Sequence, residues 1–395
     1  MKVAFLTSGG VAPCLSASIA YLIQEYSVRD NSIEFYGYKH GYKGLLLGHK
    51  ISIPNNLSNK ADLIASFGGS AIGNSRVKLT NIDDCIKNKY IQENELPVEV
   101  AANQLVSDKI DVLHTIGGDD TNTAAADLVK YLKANNYDLT VVGLPKTIDN
   151  DVFPISQTLG AYTASEQGAV FFNNIVNENT TSSRQLIIHE VMGRNCGWLT
   201  AATAYEYRKL LENREFIPEL MIDKKRWDIH GIYLPEKEID FNKECIRLNA
   251  IMDKYDCVNI FLSEGAGIDN IVKEKEQNGE NINRDAFGHV RLDEINPGIW
   301  YSNYFKNKLN CDKVLVQKSG YFSRSAHPNK EDLELINTHA ELGVKCAIKS
   351  DSGVIGIDDN NGKLSCIKFN RIKGGKPFNT NVDWFKNLLK EIYSI

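Results

Sequence analysis

Two short stretches of this chain hold more acid than a turn needs. "GGDDT" at 117–121 sets Asp119 and Asp120 side by side at the start of a helix-like run. One carboxylate explains a helix cap, because it accepts orphan N–H groups of the first turn. The second repels the first and is left over. A carboxylate beside a phosphate chain works through a divalent cation that bridges oxygens of both. Asp119 is therefore the candidate metal ligand, Mg2+ the expected ion, and Asp120 has another task. "PKTIDND" at 145–151 is more specific. Lys146 follows Pro145 directly after an apolar strand, which aims it at the strand's end. Asp149 and Asp151 flank Asn150 and share one side of the segment if it is extended. Two acids so close push their pKa values apart, which suits one as general base and the other as its support. The competing reading is a solvated loop with an Asx turn.

Other residues add weaker signals. "SGG" at 8–10 suits close approach of the Gly10 backbone to an anion at a helix start, although a Gly-Gly turn is more often only a turn. Arg76 lies in a further glycine-rich loop, "GGSAIGNSRV". "HEVMGRNCG" at 189–197 ends a strand in Met192, Gly193 and Arg194. Arg194 suits bidentate phosphate binding, or equally a surface salt bridge. "SEGAG" at 263–267 puts Glu264 at another strand end, where a carboxylate accepts from a neutral hydroxyl. "KSGYFSRS" at 318–325 adds a basic, aromatic turn. His114 and His189 sit inside apolar strands and read as satisfied core histidines. No Ser/His/Asp order or His-x-x-x-His spacing points to a hydrolase or metalloprotease.

These residues need elements to position them. Strand-like runs at "KVAFLT", "IEFYGY", "DVLHTIG", "LTVVGLP", "RQLIIHEV", "VNIFLS" and "KVLVQK" alternate with helical patterns at 160–177, 242–255, 330–348 and the C-terminal "VDWFKNLLKEIY". Such alternation predicts an α/β fold with mostly parallel sheets and helices on both faces. Four apolar strands run into Gly9, Gly117, Gly193 and Gly265. In open α/β sheets ligands bind beyond the carboxyl ends of strands, so these endings are expected to line one crevice. Residues 267–297 are the most polar, Gly- and Asn-rich stretch and read as an inserted surface loop. With 395 residues, one large or two medium domains fit. The net charge of −5, with no like-charge block, gives no sign of nucleic-acid binding, and no apolar run is long enough to span a membrane. The eight cysteines form no C-x-x-C pair and no zinc spacing. They read as isolated small apolar residues in a reducing compartment, which makes cytoplasm the expected location.

Taken together, "SGG", "GGSAIGNSR", "GGDDT", "PKTIDND", "EVMGR" and "SEGAG" resemble, in order, the motifs of the phosphofructokinases. The ATP-dependent members read GGDG and PGTIDND; GGDD and PKTIDND resemble the diphosphate-dependent branch, in its short bacterial type. The resemblance implies two Rossmann-like domains, each of three αβα layers, with the active site in the cleft between them. The expected division is 1–145 plus about 320–365 for diphosphate and Mg2+, and about 146–319 plus 366–395 for the sugar phosphate, with 270–297 as an insert. It implies transfer of a phosphoryl group from diphosphate to the 1-hydroxyl of fructose 6-phosphate, by a homodimer with no effector site. Asp149 is then the proton acceptor, supported by Asp151. Gly10 and Arg76 bind diphosphate. Lys146 offsets the leaving-group charge, while Asp120 fills the space of a third phosphate and repels it. Thr147, Ile148, Asp149, Met192, Gly193, Arg194, Glu264, Tyr321, Phe322, Ser323 and Arg324 meet the sugar phosphate. Arg184 is expected to join them from across a subunit interface. "FGHVR" at 287–291 competes with "SGYFSR" at 319–324 for the phosphate turn; only the second follows an apolar strand, so His289 and Arg291 are set aside. The alternatives are an ATP-dependent phosphofructokinase, an NAD- or lipid-kinase-like GGDG enzyme, which would lack "TIDND" and "MGR", and a silent phosphosugar-binding subunit, which is expected to have lost Asp149.

Overall fold

The computed structural model describes residues 1–280, 282 and 292–393. Eleven strands are present among them: β1 (Lys2–Thr7), β2 (Glu34–Tyr38), β3 (Lys50–Ile53), β4 (Val112–Gly117), β5 (Thr140–Pro145), β6 (Gln185–Val191), β7 (Gly231–Tyr233), β8 (Cys257–Ser263), β9 (Lys313–Lys318), β10 (Gly353–Ile357) and β11 (Leu364–Ile367). They form two sheets, ordered β11-β10-β5-β4-β1-β2-β3 and β7-β8-β6-β9. In the first, the five central strands are parallel and an antiparallel strand closes each edge. The second is parallel throughout. The expected α/β class with mostly parallel sheets therefore holds.

Strand alternation explains the layers. Ala4, Leu6, Leu113 and Val141 face a core shared with Ala101, Leu105, Ala124 and Leu128, from the helices Pro97–Asp108 and Asp119–Ala134. Phe5 points the other way. Its ring lies 5.8 Å from His114 and 6.0 Å from Phe35, and both of these meet Tyr26 of the helix Leu15–Arg29. In the second sheet Leu186, Ile188, Val258, Ile260 and Leu262 pack against Leu248, Met252, Tyr301 and Phe305. Ile187 and Phe261 turn to Phe172, Tyr207, Phe385 and Leu388. Both sheets are covered on both faces, which is why their strands read as near-continuous apolar runs. Gly9 follows β1 and Gly117 ends β4 in one sheet; Gly193 and Gly265 follow β6 and β8 in the other.

The chain divides into two units, Met1–Ala164 with Arg324–Lys376, and Ser165–Ser323 with Pro377–Ile395. These points lie beyond the expected 145 and 365. Residues 146–164 stay on the first sheet, through bridges of Lys146 to Leu159 and of Ile155 to Asp358. β11 stays with it because it pairs antiparallel with β10. The stretch 267–297, expected as a surface loop, begins instead with the helix Ile268–Gln277, which buries Ile271 and Val272. His114 is a core histidine whose Nε2 shares a 2.8 Å hydrogen bond with the Tyr26 hydroxyl. His189 departs from expectation: it stacks on Phe172, and neither ring nitrogen has a hydrogen-bond partner. The cysteines are free thiols, five of them buried.

Candidate active site

At the end of β1, Ser8 bridges to Ser75 and the Gly9 N–H donates to the Ser75 carbonyl at 2.9 Å. Gly9 has φ 91°, a conformation glycine takes at little cost. The Asn74 amide donates to the Gly9 carbonyl at 2.7 Å. The segment 74–76 is thereby fixed alongside, and Arg76 lands at Gly10: a Cβ on Gly10 would sit 3.7 Å from its Nη2. Gly9, Gly10, Arg76, Lys78, Asp120 and Thr121 line a cavity of about 280 Å³.

β4 runs through Gly117 and Gly118 into the helix Asp119–Ala134 without a spacer. A Cβ on Gly117 would lie 2.3 Å from Thr121 Oγ1, so only glycine lets the helix start so close. Neither acid caps that helix; its N-cap is Gly118, with no side-chain cap bond. Asp119 Oδ1 instead accepts the Gly374 N–H at 3.0 Å. Burial raises the Asp119 pKa, and the charges of Asp120 and Asp151 push the same way against the Gly374 bond. Asp120 pairs with Lys78 at 2.7 Å, both partly exposed. The two carboxylates thus have different partners, as two different tasks require.

Lys146 continues β5 and is 3% exposed. Its Nζ donates to the Gly10 carbonyl at 2.6 Å. Burial pulls its pKa down to about 8; Arg76 adds to this, while Asp151 and Asp149 act against it. The turn that follows is organised by Asn150. This residue has φ 54°, donates to the Ser156 carbonyl at 3.1 Å and accepts the Thr158 N–H at 2.8 Å. The segment is therefore not extended, and the expectation that Asp149 and Asp151 share one side of an extended run fails there. An asparagine tolerates the left-handed conformation, and its amide ties the turn to 156–158. The Asp149 N–H donates to Thr147 Oγ1 at 3.2 Å. Asp151 accepts a side-chain bond from Thr147, and its carbonyl takes the Lys376 N–H at 2.7 Å. Burial raises its pKa, against Thr147 and the charges of Lys146 and Lys376. Ile148 is buried beside them.

In the second unit, β6 ends in Met192, Gly193 (φ 130°) and Arg194. Glu264 Oε1 accepts the Gly193 N–H at 3.2 Å, and Ser263 Oγ donates to the Gly193 carbonyl at 2.5 Å. Gly265 packs on the same turn; a Cβ there would meet the Arg194 carbonyl oxygen at 1.8 Å. Burial raises the Glu264 pKa; the Gly193 bond lowers it, Glu190 raises it, and Arg194 and Lys318 lower it. Arg194, Glu236, Gly265 and Asn270 border a cavity of about 890 Å³. After β9, Gly320–Arg324 forms one helical turn that seats Gly320 against Met192 and buries Ser323. Tyr321 and Phe322 are exposed, with the Phe322 ring 5.6 Å from Phe171. Arg324 falls with the first unit.

Arg184 is expected to act from across a subunit interface, so its place within its own chain does not test that role. It precedes β6, at the amino end of a sheet whose Gly193 and Glu264 lie at the carboxyl end. Its guanidinium is held by its own chain: Asp253 at 2.7 Å, the Leu309 carbonyl at 2.7 Å and the Asn310 carbonyl at 2.9 Å. The structure does not bring it to the other candidates. His289 and Arg291 lie outside the described residues. Sequence reasoning missed Lys78, Gly374, Lys376 and Glu236, which accepts the N–H groups of Gly197 and Phe378 at 2.8 Å each. For Gly374 the adjacent Gly-Gly was a usable signal; Lys78 and Glu236 carried none.

The chain is similar to known proteins along most of its length. The family described as phosphofructokinase matches residues 2–335. The chain is 56% identical over 392 residues to the pyrophosphate–fructose 6-phosphate 1-phosphotransferase of Methylomonas methanica, covering 99% of this chain and 96% of that one. It is 50% identical to the protein of the same name from Propionibacterium freudenreichii, with 99% and 97% covered. The solved pyrophosphate-dependent phosphofructokinase of Marinobacter aquaeolei shares the fold at a TM-score of 0.72 with 19% identity, covering 99% of this chain and 91% of its own. On sequence along most of its length, this chain belongs to the phosphofructokinase family.

Proposed function

We propose that this enzyme transfers a phosphoryl group reversibly from diphosphate to the 1-hydroxyl of fructose 6-phosphate, giving fructose 1,6-bisphosphate and phosphate. One observation carries the choice of donor: a buried lysine, Lys146, lies against the Gly10 carbonyl, and an acid, Asp120, borders the anion-sized cavity that Gly10 also lines, where the motifs of the ATP-dependent members read glycine at both positions. The names of relatives 50–57% identical to this chain support it.

The residues take the following roles. The Gly10 amide and Arg76 bind diphosphate. Asp149 takes the proton from the 1-hydroxyl as that oxygen attacks phosphorus, and Asp151 supports it. The bond to the departing phosphate breaks, and the Lys146 ammonium offsets the charge that develops there. Thr147 and Ile148 line the sugar. Met192, Gly193 and Arg194 meet the sugar phosphate, with Tyr321, Phe322, Ser323 and Arg324, and Glu264 accepts from sugar hydroxyls. A hard divalent cation fits this donor set, because Asp119 is half-buried and crowded by the carboxylates of Asp120 and Asp151. We assign it as Mg2+ on Asp119; when bound it neutralises diphosphate oxygens. By the same family reading the enzyme is a cytoplasmic, non-allosteric homodimer, whose mass sedimentation would measure.

The test is a coupled assay with fructose 6-phosphate and Mg2+, run in parallel with diphosphate and ATP. Turnover with diphosphate alone is expected. Turnover with ATP alone would leave the family intact and discard the roles given to Lys146 and Asp120.

A further inference from the structure

Away from these residues, three side chains come together that sequence spacing keeps apart. The helix Lys330–Ile348 ends in a turn where Ser350 has φ 56° and the Asp351 N–H returns to the Cys346 carbonyl at 2.9 Å. That turn folds the Asp351 carboxylate back toward the Cys346 thiol. β11 supplies Cys366, held in register opposite Ile355. Both sulfur atoms and a carboxylate oxygen lie within 4.8 Å of one another. Cys346 is buried, while Cys366 and Asp351 are partly exposed and give a route in. No other such group of three occurs among the described residues.

We propose that Cys346, Cys366 and Asp351 bind a thiophilic divalent cation, zinc above all, with water completing a tetrahedron. Cysteine sulfur and carboxylate oxygen are both zinc ligands, and tetrahedral Zn–S bonds of about 2.3 Å place two sulfurs about 3.8 Å apart. Binding forms two S–metal bonds and releases two protons to solvent. Lys368 pairs with one oxygen of Asp351, and the carboxylate has a second. A disulfide between the same cysteines would need an oxidant such as a peroxide and a thiolate to start, and would leave the carboxylate without a part. The site has a consequence in the fold. β11 leads into the loop whose Gly374 and Lys376 N–H groups hold Asp119 and Asp151. Clamping β11 to the helix end steadies that loop without touching substrate.

The experiment uses the full chain, reduced and freed of metal, titrated with Co2+. A near-ultraviolet thiolate-to-cobalt band should rise to one equivalent and vanish on adding Zn2+. Cobalt on oxygen ligands, as at Asp119, gives no such band. The band should be lost in Cys366→Ser and weakened severalfold in Asp351→Asn, a partly exposed position where folding is not at risk. No band in the wild type, or a band that survives both Cys346→Ser and Cys366→Ser, overturns the proposal. An unchanged band in Asp351→Asn removes the carboxylate from the site. Cys346 and Cys366 found joined in peptides of unreduced protein, with no cobalt band after reduction, would replace the metal with a disulfide.

Discussion

Lys146 is a lysine whose proton burial has loosened, and its role depends on keeping that proton. With a free-enzyme pKa near 8, the ammonium is charged below that pH and lost above it. kcat/KM for diphosphate reports the free enzyme, so it should fall as pH rises through about 8. Bound diphosphate is an anion that raises the pKa, so the fall in kcat should come at higher pH. Lys146→Arg keeps the charge at all pH values and should abolish the alkaline limb, at a cost in rate from the changed geometry. A limb that stays at the same pH in Lys146→Arg would assign it to another group. Asp120 gives a second test. Its ion pair with Lys78 means that Asp120→Gly removes both a negative charge and that ion pair beside the cavity. ATP turnover should rise from background in Asp120→Gly and rise further when Lys146→Gly is added, while diphosphate turnover falls by on the order of 10²-fold with the lysine lost. ATP still excluded from both variants would show that the steric and charge account is incomplete. At this scale the sequence was legible where a residue breaks a local rule, as Asp120 breaks the economy of a helix cap. Lys78, Glu236 and Lys376 were not, because each acts through a tertiary contact with no local oddity. Asn150 is half-legible: its type and place before an acid fit an Asx turn, but the same few residues fit an extended run equally well.

At the scale of the element, the glycines after strands decide how closely a following turn can pack. Gly117 and Gly265 form a matched pair, since a Cβ would collide with Thr121 in the first unit and with the Arg194 carbonyl in the second. Displacement of a binding turn by about 1 Å costs on the order of 10²-fold. Gly117→Ala should therefore raise KM for diphosphate and spare that for fructose 6-phosphate; Gly265→Ala should do the reverse. Steady-state kinetics with each substrate varied in turn checks both, and equal effects on both substrates from either variant would count against the roles given to the two turns. These elements were the legible part of the fold, since an apolar strand running into glycine is a strong local signal. The helix Trp198–Glu212 was passed over because its buried face is largely Ala and Thr, which bury well but carry little hydrophobic pattern. The helix Ile268–Gln277 was read as loop because only Ile271 and Val272 mark its buried side, amid a polar window. β7, β10 and β11 span five residues or fewer and owe their existence to the strands they pair with.

At the scale of the whole molecule, folding takes four histidines among the described residues out of water. Burial lowers the pKa of His114, His189 and His230 to about 3 and that of His339 to about 4. In the unfolded chain each titrates near 6.5. Below that pH the unfolded state binds protons that the folded state refuses, so stability is full above 6.5 and drains away as pH falls toward 3 to 4. By pH 5 each costs about 2 kcal/mol, and the four together about 8 kcal/mol, comparable with the whole stability of a typical domain. The buried carboxyls work in the opposite direction. Asp119, Asp151, Asp228, Glu264 and Asp332 are all raised by burial, so the folded state takes up their protons more readily than the unfolded state. Their offset appears as pH falls through these raised pKa values and works against the histidine loss. The melting temperature should accordingly be flat from pH 8 to 7 and fall below 6.5, with a net proton uptake on unfolding to which each histidine adds up to one proton. His189 offers the sharpest check, because its ring nitrogens have no hydrogen bonds to lose. His189→Leu should keep stability at pH 8 within the cost of a core repacking and remove about a quarter of the acid slope. An acid slope unchanged in that variant would mean that the His189 ring takes up its proton inside the folded core, against the cost of burying a charge among Phe171, Phe172 and Phe261.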